Sequence, residues 1–196
     1  MKLSNETLTI LKNFSTINSG IFFKQGNKLT TVSPSKTILA QVTLEEEFPQ
    51  DFGIYDLNQF LSVLNIYTDA SLSFDNTNVT FSSGRKSTKY RLTDKSQIVV
   101  APDKQLSLPS EDVSFFLSEE DLAWLLKTAA VVQSPNICVE SNGESMTITT
   151  FDASNDSAST NTLDIADGNG DSFKMIFKAE SLQKVIAGSY TVRISS

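Results

Sequence analysis

Histidine is absent from this chain and cysteine occurs once, at Cys138. Histidine is the side chain whose ordinary pKa suits proton transfer near neutral pH, so the commonest general base is missing. One thiol without any imidazole makes neither a Cys/His zinc set nor an internal disulfide. A nucleophile at Cys138 would need a Lys or carboxylate partner that no local motif supplies. Nucleotide hydrolysis is not expected either, because Ser83-Gly84-Arg85-Lys86 lacks the first glycine and the spacing of a phosphate-binding loop. Asp167-Gly168-Asn169-Gly170-Asp171 opens like a calcium loop, but Ser172 stands where the sharp-turn glycine belongs and Lys178 where the bidentate glutamate belongs, so it reads as a hairpin turn. The residue types thus point away from an enzyme, a metal site or a cofactor. No segment is apolar for the length needed to cross a bilayer, and the N-terminus lacks a basic start followed by an apolar run, so the chain reads as soluble and cytoplasmic.

Positive charge is the other scarcity. Lys and Arg number 16 against 23 Asp and Glu, giving a net charge of −7 and a pI near 4.6, which argues against a protein that grips nucleic acid by broad phosphate neutralisation. What is present is a core: 39% of the 196 residues are hydrophobic, with 13 Phe, enough for one large domain or two modest ones. In the opening MKLSNETLTILKNFSTINSGI (Met1 to Ile21) a short strand runs into a helix that stops at Asn-Ser-Gly. Leu8, Leu11, Phe14 and Ile17 fall on one side of it, and Asn5, Thr9, Lys12, Asn13 and Thr16 on the other. Alternation then predicts strands at 21–24, 29–32, 38–44 and 52–55. The period changes over Asp56 to Tyr67, where Leu57, Phe60, Leu61 and Leu64 recur at helical spacing behind a capping Asp56. Strands resume at 71–74, 79–82, 89–92 and 97–100. Glu45, Glu46 and Glu47 read as a solvated run on a loop.

Residues 101–112, APDKQLSLPSED, carry two prolines and no sustained period, and read as a connector between a first domain (1–100) and a second (113–196). The pattern then begins again. A strand at 113–117 leads to Ser118 and Asp121, a capping-box-like start to a helix ending near Val132. Its core side is Leu122, Leu125, Leu126, Ala129 and Val132, leaving Lys127 and Thr128 outward and Trp124 partly exposed. Strands follow at 137–140, 146–151, 162–165 and 173–177, then a short helix over 179–187 with Gln183 and Lys184, and a strand at 190–194. Each half therefore reads strand, helix, four strands, helix, strands: an α+β unit present twice. Two unrelated α+β domains of coincidental order are the alternative. The second copy looks incomplete, so that either the polypeptide continues past Ser196 or a hairpin has been lost.

The opening segment, together with IYDLNQFLSVLNI (Ile54 to Ile66) and VVAPDK (Val99 to Lys104), closely resembles the DNA polymerase sliding clamps of T-even-type tailed phages. The resemblance implies a two-domain processivity-clamp fold whose subunits assemble as a homotrimeric ring, with sheets outside and helices lining a hole for duplex DNA. It implies continuation past Ser196, since those clamps extend further. On this view Lys12, Lys127, Lys184, Asn5, Thr9, Asn13, Thr16 and Asn58 face DNA, with Gln59, Ser62 and Asn65 alongside; an acidic protein can still enclose DNA loosely if its lining is mildly basic. Val99, Val100, Ala101, Pro102, Leu106, Leu108 and Pro109 would border an apolar pocket where polymerase and loader insert a peptide. The head-to-tail subunit contact would use edges around 96–100 and 160–165. The implied partners are non-specific duplex DNA, a replicative DNA polymerase, a separate ATP-dependent clamp loader and a sigma-like factor for late transcription, in the cytoplasm of an infected bacterial host. A phage structural or adaptor protein built of duplicated α+β domains is the competing class; a hydrolase is a weaker third.

Overall fold

A computed structural model describes residues 1–102, 107–168 and 170–195. The chain forms two compact units, Met1–Lys104 and Gln105–Ser196, each with its own apolar core.

In the first unit Ser4 accepts the Thr7 N–H at 3.1 Å and starts α1 (Asn5–Ile17). Four strands follow, β1 (Ile21–Phe23), β2 (Gly26–Val32), β3 (Leu39–Phe48) and β4 (Phe52–Ile54). Asp56 accepts the Gln59 N–H at 3.0 Å to start α2 (Leu57–Asn65). The sheet β5 (Ser71–Phe74), β6 (Asn78–Ser83) and β7 (Lys86–Arg91) completes the unit. Its centre is aromatic: Phe23 stacks on Phe52 at 4.5 Å between centroids, and Phe60 of α2 meets Phe81 of β6 edge-on at 5.0 Å.

The second unit repeats this order with β8 (Val113–Leu117), α3 (Glu119–Val131), β9 (Asn136–Asn142), β10 (Ser145–Phe151), β11 (Asn161–Asp167), β12 (Ser172–Lys178), α4 (Ala179–Leu182) and β13 (Tyr190–Ile194). Ser118 accepts the Asp121 N–H at 3.1 Å and donates its hydroxyl to the Asp121 carboxylate at 2.6 Å, the paired start foreseen from sequence. Pairing confirms the duplication. The ladders β1–β4 and β2–β3 of the first unit correspond to β9–β12 and β10–β11 of the second. In the second unit a tight turn at Gly143 (φ +92°) also joins β9 to β10, giving one sheet in the order β11-β10-β9-β12. In the first, β1 and β2 do not pair and the two ladders stay separate, with Gly26 (φ +104°) at a register shift in β2–β3.

Five expectations are corrected. The opening strand shrinks to a single residue pair, in which Met1 and Leu72 exchange both backbone hydrogen bonds at 2.7 Å; the helix cap at Ser4 leaves no room for more. Residues 97–100 are not a strand, because Asp94 accepts the Ser96 N–H and winds Lys95–Gln97 into a 3-10 turn. Glu45, Glu46 and Glu47 lie within β3, not on a loop. The fourth helix ends at Leu182, short of Ala187, because tighter bonds such as Lys184 N–H to Ser181 C=O and Val185 N–H to Leu182 C=O take over. Asp167 to Asp171 is not a hairpin turn, because β11 and β12 lie on opposite edges of their sheet. The crossover passes so close to the β9–β10 turn that a Cβ on Gly168 would collide with the Gly143 backbone.

Candidate nucleic-acid interface

Burial of one stripe on each helix determines what the opposite face can present. On α1 Thr7, Leu11, Phe14 and Ile17 are buried, while Asn5, Thr9, Lys12 and Thr16 are exposed and Asn13 is half-buried. The hydroxyls there are already committed. Thr9 donates to the Asn5 carbonyl at 2.9 Å and Thr16 to the Asn13 carbonyl at 2.7 Å, which leaves the Lys12 ammonium and the Asn5 amide as the readily offered donors. On α2 Leu57, Phe60, Leu61 and Leu64 are buried, with Asn58, Gln59, Ser62 and Asn65 exposed. This face is polar and carries no cation.

The third helix is less polar than its expected role. Leu122, Leu125 and Ala129 are buried, and Lys127 is exposed, but Trp124 is 41% and Val131 74% exposed on the same outward side. Glu119, Glu120 and Asp121 fill its first turn, where they complement the partial positive charge of the helix N-terminus. Lys184 lies beyond the end of α4 and is half-buried, so it is not part of a helix face.

Of the connector residues, Val99 is 40% exposed, Val100 and Ala101 are half-buried and Pro102 is exposed in the first unit. Leu108 and Pro109 are exposed in the second unit, and Leu106 lies outside the described residues. Sequence reasoning missed what holds Val99 in place. Asn18, the buried C-cap of α1, donates its side-chain amide to Val32 C=O at 2.9 Å and to Val99 C=O at 3.0 Å, and accepts the Gly20 N–H at 3.1 Å. Beside it, Ile98 lies against Gly20 and Gly53: a Cβ at Gly53 would come 2.8 Å from Ile98 Cδ1 and 2.6 Å from the Thr93 carbonyl. The Asn-Ser-Gly signal marks a helix stop, and its Asn18 also anchors a segment 81 positions away.

Glu46 ties β3 to the start of α1. Burial works against its ionisation, but hydrogen bonds from the Thr7 hydroxyl at 2.6 Å and from the Ser4 backbone N–H outweigh this and hold its pKa below the ordinary glutamate value. Cys138 is buried, and burial reinforced by the Glu140 charge pushes its thiol up, away from the reactive thiolate. Among the described residues no three His, Cys, Asp or Glu side chains are placed to hold a metal ion, and no helix is long and apolar enough to cross a membrane.

Comparison with solved structures places this architecture. A. fulgidus PCNA, solved with the C-terminal region of FEN-1 bound, superposes over 98% of this chain and 86% of its own with a TM-score of 0.71 at 16% identity. PCNA from Thermococcus kodakaraensis gives 0.62 over 96% and 85% of the two chains at 17% identity. The H. pylori beta clamp gives 0.66 at 18% identity, covering 96% of this chain and 55% of its own. The fold is that of the PCNA and beta-clamp structures. Sequence narrows this further: residues 3–101 match the family described as DNA polymerase processivity factor. The sliding clamps of Vibrio phage KVP40, Escherichia phage RB69 and Enterobacteria phage T4 are each 32% identical to the chain, over 99%, 99% and 97% of it and 90%, 87% and 85% of their own lengths. The chain belongs to the DNA polymerase processivity factor family and is a sliding clamp of the T4-like phage type.

Proposed function

We propose that this clamp works without catalysis of its own, as a homotrimeric ring around duplex DNA that holds the replicative polymerase at the primer end. The observation that carries this reading is the near full-length relationship to three phage sliding clamps, in a chain whose duplicated units each bury one helix stripe and expose the other. Tethering raises the effective concentration of polymerase at its substrate, so a dissociating enzyme copies long stretches before it is lost. Duplex DNA is met by Lys12 and Lys127 with Asn5, Asn13 and Asn58, while Thr9 and Thr16 line the same face with their hydroxyl protons turned to the helix backbone, and few strong phosphate contacts suit sliding. Lys184 contributes from beyond its helix.

Polymerase and an ATP-dependent loader insert a peptide beside Val99, Val100, Ala101 and Pro102 of the first unit. A sigma-like late-transcription factor is a further partner, in the cytoplasm of the infected host. Head-to-tail contact joins the open edge of β11 to the extended backbone at Ile98 and beyond. Primer extension on singly primed circular DNA with a matched polymerase and loader tests the proposal. Adding the protein should lengthen the products made per polymerase binding event, and Lys12→Glu with Lys127→Glu should shorten them again. Product lengths indifferent to the protein would refute the tethering role.

A further inference from the structure

The cations of this acidic chain are not gathered on its helix faces. Between Asp75 and Asp94 the sequence holds Arg85, Lys86, Lys89 and Arg91 and no Asp or Glu. All four are exposed, and none makes an ion pair among the described residues. Elsewhere cations are more often engaged: Lys2 pairs with Asp69, Lys174 with Glu140 and Arg193 with Glu111.

The pleat of the sheet β5-β6-β7 sorts this segment into two faces. Val79 and Phe81 are buried, Tyr90 meets Phe60 of α2 edge-on, and Thr88 hydrogen-bonds Tyr67, so these point to the core. The alternate residues form the opposite face. Register places Arg91 beside Asn78, Lys89 beside Thr80 and Ser87 beside Ser82, with Ser73 and Ser71 of β5 continuing the rows. This face is hydroxyls, an amide and two cations, with Arg85 and Lys86 at its hairpin end. The carboxylate at its rim, Asp75, is already occupied by the N–H groups of Thr77 and Asn78. No aromatic ring lies on these rows, so the face offers nothing to stack unpaired bases. Arg, Lys, Ser, Thr and Asn on a flat surface are the donors that contact phosphate and sugar without reading sequence.

We propose that the outer face of β5-β6-β7, centred on Lys89 and Arg91, is a second, loader-independent contact for the phosphate backbone of duplex DNA, distinct from the helix faces. The inference rests on the sliding-clamp reading and adds to it where the electrostatic attraction resides. α1 and α3 together offer Lys12 and Lys127 against Glu6, Glu119, Glu120 and Asp121, a poor phosphate attractor, whereas this sheet face sets four unpaired cations against a single carboxylate, Asp75 at its rim.

The test is fluorescence anisotropy of a labelled 24-bp blunt duplex with the intact protein, without loader or ATP, over a series of salt concentrations. Lys89→Gln with Arg91→Gln should weaken binding about tenfold at low salt and flatten the log–log salt dependence by roughly two, one for each lost phosphate contact. Ser87→Lys, which adds a cation to the same row, should tighten binding and steepen the dependence. Lys12→Gln with Lys127→Gln should change this measurement little while shortening products in the loader-dependent primer-extension assay, so failure of the ring and failure of the sheet contact are separately visible. Unchanged duplex affinity in both sheet variants would overturn the proposal and leave these cations as protection of an open strand edge. Loss of polymerase or loader binding with duplex affinity intact would overturn it in favour of a protein-docking face.

Discussion

Glu46 and Asn18 show how much of this fold is held by single polar side chains that hydropathy reading passes over. Glu46 sits in a run of three acids that resembles a solvated face, yet its carboxylate secures the first turn of α1. Its folded pKa lies below the ordinary value of 4.5. The stability it contributes is therefore fully present above the unfolded pKa and is lost as pH falls through the lower folded value. Urea unfolding from pH 7 to pH 3 should show the gap between wild type and Glu46→Gln closing across that acidic window; a gap independent of pH would contradict the assignment. Asn18→Ala would strip the donor from the buried Val32 carbonyl and from the partly buried Val99 carbonyl and should cost about 2 kcal/mol, with faster amide exchange in the segment around Val99. Neither role was legible beforehand, because hydrogen bonds spanning 39 and 81 residues leave no local pattern.

At the scale of elements, sequence was informative wherever burial is one-sided. The α2 stripe and the centres of the α1 and α3 stripes match the sequence pattern, with Thr7 buried and Leu8, Leu126 and Val132 only half-buried, and β5, β8 and β13 keep their predicted bounds, since a period of 3.6 or 2 is the direct imprint of a buried face. Misreadings fell where competing local bonds outweigh propensity. The valine-rich stretch at 97–100 has strand composition, but the Asp94 side chain turns the chain just before it and Asn18 captures its carbonyl. That segment is instead seated by steric fit at Gly53. Gly53→Ala would press a Cβ on the Thr93 carbonyl and Ile98 and should destabilise the protein by about 1–3 kcal/mol in chemical denaturation. Adding Ile98→Ala should not restore wild-type stability, because the clash with backbone remains; full rescue would contradict this packing.

For the whole molecule, the distribution of charge matters more than its total. A net charge of −7 and sparsely basic helix faces argue that retention on DNA comes from closure of the ring, since a contact with few phosphates is weak and falls quickly with salt. Duplication of one α+β unit was visible in the order of elements, whereas the join of β9 to β10 and the crossover from β11 to β12 were not, because sheet order depends on which strands meet in space. Closure can be measured directly by loading the labelled protein onto a nicked circular plasmid with a matched loader, removing ATP, and following retention before and after a single restriction cut. The account predicts retention on the circle at high salt and prompt loss once free ends exist; equal loss from circular and linear DNA would contradict it.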